Sequence, residues 1–162
     1  MAFVVTDLHD ASAPRDGLLE LNNASARETS LLPSEKFEQM IAAASVATYV
    51  QPAAGLLLAF QHSDAYDGGH FLWFRQRYAR FLYIDRIVVG AAHRNDGVGR
   101  LLYADLFARA ASLGQDVVVC EVNVEPPNPV SEKFHERQCF TEVGRATIES
   151  GAKTVRYLLK RL

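Results

Sequence analysis

The strongest chemical signal in the chain is Val88-Val89-Gly90-Ala91-Ala92-His93-Arg94-Asn95-Asp96-Gly97-Val98-Gly99-Arg100-Leu101-Leu102. An apolar strand enters a glycine-bearing turn, and the turn opens an amphipathic helix. The first N–H groups of a helix have no partner within it, and the helix dipole adds partial positive charge there. Such an end is suited to phosphate. Gly97 and Gly99 keep side chains away from a ligand that approaches the main chain, and Arg94 and Arg100 add fixed charge. Two common phosphate loops do not fit. There is no Gly-x-x-x-x-Gly-Lys-Ser/Thr, and the dinucleotide pattern fails at Leu102, where its third glycine would stand.

Ionisable side chains stand in and after two apolar strands. Asp85 interrupts Tyr83-Ile84-Asp85-Arg86-Ile87-Val88, and Glu121 interrupts the run from Val117 to Val124. A carboxylate in such a setting is costly unless it is paired. Each acid is therefore either a structural partner or a working acid–base group. His135 follows the second strand. Cys120, His135 and Cys139 lack a Cys-x-x-Cys pair and a clear fourth ligand, so no metal site is expected. The two cysteines read as reduced, buried thiols.

These groups need a scaffold, and the patterning supplies one. Strands are expected over residues 3–8, 46–51, 54–61, 81–89, 117–124, 140–148 and 153–159. The last two form a hairpin around Ser150 and Gly151. Helices are expected over 14–25, from Pro33 through Ala44, over 100–113 with Gly114 as the stop, and over 129–138. Asn128 caps the last of these and Pro129 begins it. Asp67-Gly68-Gly69 must turn, and the aromatic stretch after it forms one or two helical turns. Strands 81–89 and 117–124 are joined through a helix, so they lie parallel with a right-handed crossover. Ligands in such sheets bind beyond the carboxyl ends of the strands, where the Arg94–Gly99 turn lies.

The 162 residues fit one α/β domain. Apolar residues make up 49% and charged residues 22%, with a net charge of −2 and no long basic run. That composition argues against generic binding to nucleic acid or to an anionic membrane. No leader-like N-terminus and no long apolar span are visible, so a cytoplasmic location is expected.

The Arg-x-x-Gly-x-Gly run after a Val-rich strand resembles the acetyl-CoA pyrophosphate loop of the GNAT N-acetyltransferase superfamily. A second motif agrees. Many members carry Asn-x-x-Ala-x-x-Leu-Tyr-x-x-x-Gly-Phe after the second strand, and Asn128, Ser131, Phe134 and Phe140 match that spacing. His135 departs from the usual tyrosine and Cys139 from the usual glycine. The resemblance is strongest from Phe81 to Phe140. It implies a mixed, mostly antiparallel sheet with a splayed central parallel pair flanked by helices. It also implies that acetyl-CoA lies in the splay. The main chain of Ile87, Val88 and Val89 would bind the pantetheine arm. The N–H groups of Asn95, Asp96, Gly97, Val98, Gly99 and Arg100, with the Arg94 charge, would bind the pyrophosphate. Asn128, Ser131 and Phe134 would face the cofactor from the other side.

The implied activity is direct transfer of an acetyl group to a primary amine, of a small molecule or of a protein amino terminus. Such an amine must first lose a proton. Glu121 and Asp85 are the candidate bases, each at a strand position where some members of the superfamily place theirs. A main-chain N–H such as that of Val89 suits the oxyanion. His135, in the place of the usual tyrosine, would protonate the departing thiolate or else only touch the cofactor. Trp73, Phe74, Tyr78 and Asn123 are the candidate acceptor contacts. Arg75, Arg77 and Arg80 either recognise a carboxylate or form a solvated face. The departures at His135 and Cys139 leave a second reading, a non-catalytic acyl-CoA-binding or regulatory module. Dimers are frequent in the superfamily, so a homodimer is among the implied partners.

Overall fold

The computed structural model describes residues 2–26, 29–148 and 151–162. Its elements run β1 (Val5–Asp7), α1 (Arg15–Ala24), α2 (Ser34–Ala43), β2 (Val46–Val50), β3 (Gly55–Gln61), α3 (Gly69–Arg75), β4 (Leu82–Val89), α4 (Val98–Ser112), β5 (Val117–Glu125), α5 (Pro129–Arg137), β6 (Thr141–Ile148) and β7 (Lys153–Arg161). The seven strands form one sheet in the order β1-β2-β3-β4-β5-β7-β6. Every neighbouring pair is antiparallel except β4–β5. This is the mixed, mostly antiparallel α/β arrangement with one central parallel pair that the sequence implies. Of the predicted turn between β6 and β7, Ser150 lies outside the described residues.

Each face of the sheet has its own core. On one face Leu18, Phe37, Met40, Ile41, Phe71 and Phe74 of α1 to α3 pack on Tyr49, Leu56, Leu58, Tyr83, Val119 and Tyr157. Phe37, Met40 and Ile41 sit three and four residues apart, so α2 presents one apolar stripe. On the other face Leu102, Tyr103, Leu106 and Ala110 of α4 meet Leu57, Ala59, Leu82, Ile84, Val118 and Cys120. β3 is covered on both sides, which explains its uninterrupted apolar run.

Strand alternation breaks in the middle of β4. Arg86 pairs with Leu58 and Ile84 with Ala59, so Asp85 is an extra residue with no partner on β3. This bulge resets the period. Tyr83 faces the α1–α3 core, yet Ile87 and Val89 face the α4 side while Val88 turns to the first core. Regular alternation would have put Tyr83, Asp85, Ile87 and Val89 on one face. The bulge instead delivers Asp85 and the buried Arg86 into the centre of the molecule. The expectation for the cysteines is corrected. Cys120 is buried, but Cys139 is exposed. It takes φ of 66° in the reversal after α5, the conformation for which a glycine is usual.

Candidate active site

β4 and β5 pair only at Leu82–Val118 and Tyr83–Val119, and beyond that point they part. A cavity of about 380 Å³ opens where they separate. Gly90 N–H bonds to the Ala54 carbonyl. Antiparallel alternation then turns the Val88 main chain toward Leu56, and turns the N–H and C=O of Ile87 and Val89 away from β3 into the gap. Ile87 and Val89 thus offer an open strand edge. Val88 does not, because its main chain pairs with β3 and its side chain fills the core.

The wall on the α4–α5 side is made of main chain and packed rings. The first residue of α4 with a backbone partner is Leu101, bonded to the Gly97 carbonyl at 3.0 Å, so the N–H groups of Val98, Gly99 and Arg100 end free of the helix ladder. The two glycines serve different needs. Gly97 holds φ of 82°, which closes the turn into the helix. Gly99 lies close against Phe134, where a Cβ would already touch the ring at 3.4 Å and a larger side chain would have little space. Asn128 caps α5 by accepting from Ser131 N–H at 3.3 Å, and both residues line the cavity. Arg94, Asn95, Asp96 and Arg100 are exposed around the turn.

Tyr103 and His135 meet on this side. Ser131 carbonyl lies 2.7 Å from His135 Nδ1, and a carbonyl only accepts, so Nδ1 carries the hydrogen. Burial disfavours the charged ring and lowers the His135 pKa. The neutral ring therefore presents a bare Nε2, to which the Tyr103 hydroxyl donates at 2.7 Å. Both residues line the cavity, and both histidine nitrogens are engaged.

The opposite wall is polar. Tyr83 hydroxyl donates to Glu121 at 2.9 Å to one oxygen and 3.1 Å to the other. Burial, reinforced by the Asp85 charge, pushes the Glu121 carboxyl up to about 8. Asp85 has both oxygens occupied. Tyr66 hydroxyl donates to one, and Arg86 Nε donates to the other at 2.8 Å. Arg86 also donates to Asn22 at 2.9 Å and to Ser30 at 3.2 Å, tying the bulge to α1 and the segment after it. His70 Nδ1 lies 2.9 Å from the Tyr157 hydroxyl. Burial and the Lys153 charge lower the His70 pKa. Asn123 and Lys153 complete this wall.

Glu121, Asp85, His135, Ile87, Asn123, Asn128 and Ser131 are thus brought to one cavity. Trp73, Phe74 and Tyr78 are not among its lining residues. Phe74 is fully buried, and Trp73 is sandwiched between the Tyr157 ring at 3.9 Å and the Arg77 guanidinium at 4.0 Å. The same loop contributes Tyr66, Gly68, Gly69 and His70 instead. Sequence reasoning also passed over Tyr83, Tyr103 and Lys153. Tyr103 had a signal, since it lies one turn after Gly99 on the same helix face. Lys153 had none, because only the β5–β7 pairing brings it here. Among the described residues no cluster of three His, Cys, Asp or Glu could hold a metal, and no helix is long and apolar enough to cross a membrane.

Residues 34–140 match the family described as Acetyltransferase (GNAT) family. No curated protein sequence matches the chain significantly. Among solved structures, the chain is similar to one in the NatC complex bound to Gag peptide and CoA, with a TM-score of 0.76 and 14% identity over 100% of this chain and 99% of that one. It is similar to a GCN5-related N-acetyltransferase from Kribbella flavida at TM-score 0.71 and 21% identity, over 99% and 98% of the two chains. It is also similar to yncA, a putative acetyltransferase from Salmonella typhimurium solved with acetyl-CoA, at TM-score 0.72 and 15% identity over 100% and 95%. At these identities the structures speak for the fold. The splayed strand pair, the free helix end beside it and the match over residues 34–140 agree, and the chain belongs to the GNAT acetyltransferase family.

Proposed function

We propose that the chain moves an acetyl group from acetyl-CoA to a primary amine, of a small molecule or of a peptide amino terminus, by direct attack. One observation carries this reading: a single cavity at the β4–β5 splay has a main-chain and aromatic wall on one side and a half-buried carboxylate on the other. The first wall fits CoA, through the free N–H groups at α4, the bare main chain of Gly99 and the open edge of Ile87 and Val89. Asn128, Ser131 and Phe134 would close over it. Acetyl-CoA supplies the acyl group as a thioester. Two proteins of this fold are bound to CoA or acetyl-CoA, which supports the assignment.

Glu121 is the base. With its carboxyl raised to about 8, its ionised fraction takes a proton from an ammonium group far more readily than an ordinary glutamate. Asp85 does not take the proton, because both its oxygens are held. It acts as a fixed negative charge that keeps the proton affinity of Glu121 high. The Val89 N–H, directed into the gap, donates to the developing oxyanion. On the thiol side we assign the hydrogen bond to the Tyr103 hydroxyl, which His135 positions and whose single hydrogen turns from His135 Nε2 to the sulfur as the thiolate departs. A neutral His135 protonated at Nδ1 has no hydrogen at Nε2 to give. Burial holds the Tyr103 phenol well above its ordinary pKa, so it stabilises the departing thiolate by hydrogen bonding rather than by giving up its proton. Acetyl-CoA binding and free-thiol release over a panel of amines and peptides test the reading. Binding with no release for any acceptor would sink it and leave an acyl-CoA-binding module.

A further inference from the structure

Among the described residues, the acceptor wall holds a cation with no carboxylate in salt-bridge contact. Lys153 begins β7 on the face it shares with Val155 and Tyr157, which themselves pair with Asn123 and Glu121 of β5. It is half-buried and lines the cavity with His70, Asn123 and Glu121. Arg86 meets Asp85, and Arg156 meets Glu132 and Glu142. Among the described residues Lys153 meets no carboxylate. Its field still enters the cavity, where it disfavours protonation of both His70 and Glu121. Asp85 and Arg86 form an ion pair at 2.8 Å that adds no net charge to this wall, and the raised Glu121 carboxyl is mostly uncharged at neutral pH. The uncompensated charge on this wall is therefore positive.

A site for a simple amine has no use for such a charge, because a cation repels the ammonium form of the acceptor. A carboxylate on the acceptor reverses the sign of that interaction. We propose that Lys153 recognises an anionic group on the acceptor, so that the substrate is a primary amine that also carries a carboxylate. Lys153 holds the carboxylate, with the Asn123 amide beside it, while the amine faces Glu121. This rests on the acetyltransferase reading above for the role of the cavity. Two sources share the chemistry, free amino acids and peptides with an acidic residue near the amino terminus.

Matched acceptor pairs test it. Amino acids are compared with their amides, and peptides bearing Asp or Glu in the first positions with their Asn or Gln counterparts. Binding to the CoA-saturated protein is measured by calorimetry, and free-thiol release is followed in parallel. The carboxylate member of one series binds about tenfold tighter, as expected for one charge-assisted contact in a partly buried site. Lys153→Met abolishes the preference and Lys153→Arg retains it, with CoA affinity unchanged in both as a control on folding. Equal or weaker binding of every carboxylate, or a preference that survives in Lys153→Met, overturns the proposal. Failure of thiol release for all acceptors would instead strike the acetyltransferase reading, and the binding preference would still decide the role of Lys153.

Discussion

The two walls of the β4–β5 cavity are built on opposite plans. The α4–α5 wall comes from contiguous sequence: a glycine turn, a helix start, and a capped second helix. Its ligand-facing groups are mostly main chain, and side chains serve mainly to stay out of the way. The other wall is drawn from α1, the loop before α3, β4, β5 and β7, and its working groups are ionisable side chains held by one another. A main-chain wall tolerates exchange at many positions and fails where a Cβ intrudes. A wall of coupled acids and phenols fails at almost any member, since each sets the charge state of the next. The first plan suits a constant cofactor and the second an acceptor that differs between enzymes.

Glu121→Gln breaks the polar wall most severely. It keeps the shape and removes the base, so kcat falls by about 10²–10⁴-fold while acetyl-CoA affinity stays within the error of calorimetry. A loss of cofactor affinity of similar size would mean that the two walls are not separable. Gly99→Val is the converse. Its Cβ would come to 3.4 Å of the Phe134 ring, and its two methyl groups would reach further into the cofactor wall. Acetyl-CoA affinity falls by about tenfold, while the pH dependence of kcat is unchanged. If the variant moved that profile instead, the main-chain wall would be sharing in the acid–base work.

The same contrast governs what could be read in advance. The α4–α5 wall was legible because local chemistry builds it. Gly97 must take a positive φ, Asn128 must cap, and Pro129 must start a helix, so the spacing of a few residues fixes the geometry. The polar wall was legible only in part. Glu121 and Asp85 stand out as acids in apolar strands. The bulge that removes Asp85 from the regular alternation is set by cross-strand pairing, which no local pattern announces. Trp73 and Phe74 illustrate the limit. Their composition suits a pocket equally well, but they support it from behind, Trp73 by stacking on Tyr157 and Phe74 by filling the core. Lys153 reaches the site only because β7 inserts beside β5, a matter of strand order rather than sequence.

Tyr103→Phe probes the line where the walls meet. The substitution removes the hydroxyl that donates to His135 Nε2 and leaves that buried nitrogen without a partner, at a cost of about 1–3 kcal/mol of stability. If the hydroxyl also serves the departing sulfur, kcat drops by about tenfold with little change in the KM of either substrate. His135→Gln retains a side-chain acceptor for Tyr103 and loses less than Tyr103→Phe. The reverse order of losses would return the thiol-side role to His135.

The subtlest comparison is in stability against pH, and it asks whether the polar wall holds its proton. The folded protein keeps the Glu121 carboxyl protonated up to about pH 8, whereas an unfolded glutamate releases its proton near 4.5. Between those values the folded state binds more protons than the unfolded state, so this group makes stability fall as pH rises. Its contribution is complete below pH 4.5 and is lost as pH passes through about 8. Glu142 acts in the opposite sense. Partial burial pushes its pKa up, but Arg156 and Arg145 hold it below the ordinary value, so what it contributes is lost as pH falls. Glu121→Gln cancels only the first effect. The midpoint of thermal unfolding of the variant, relative to the parent, should therefore climb from pH 5 to about 8 and then level. A difference that stays flat over that interval would show Glu121 already ionised at neutral pH, a carboxylate free to take the proton of the acceptor amine but with only an ordinary affinity for it.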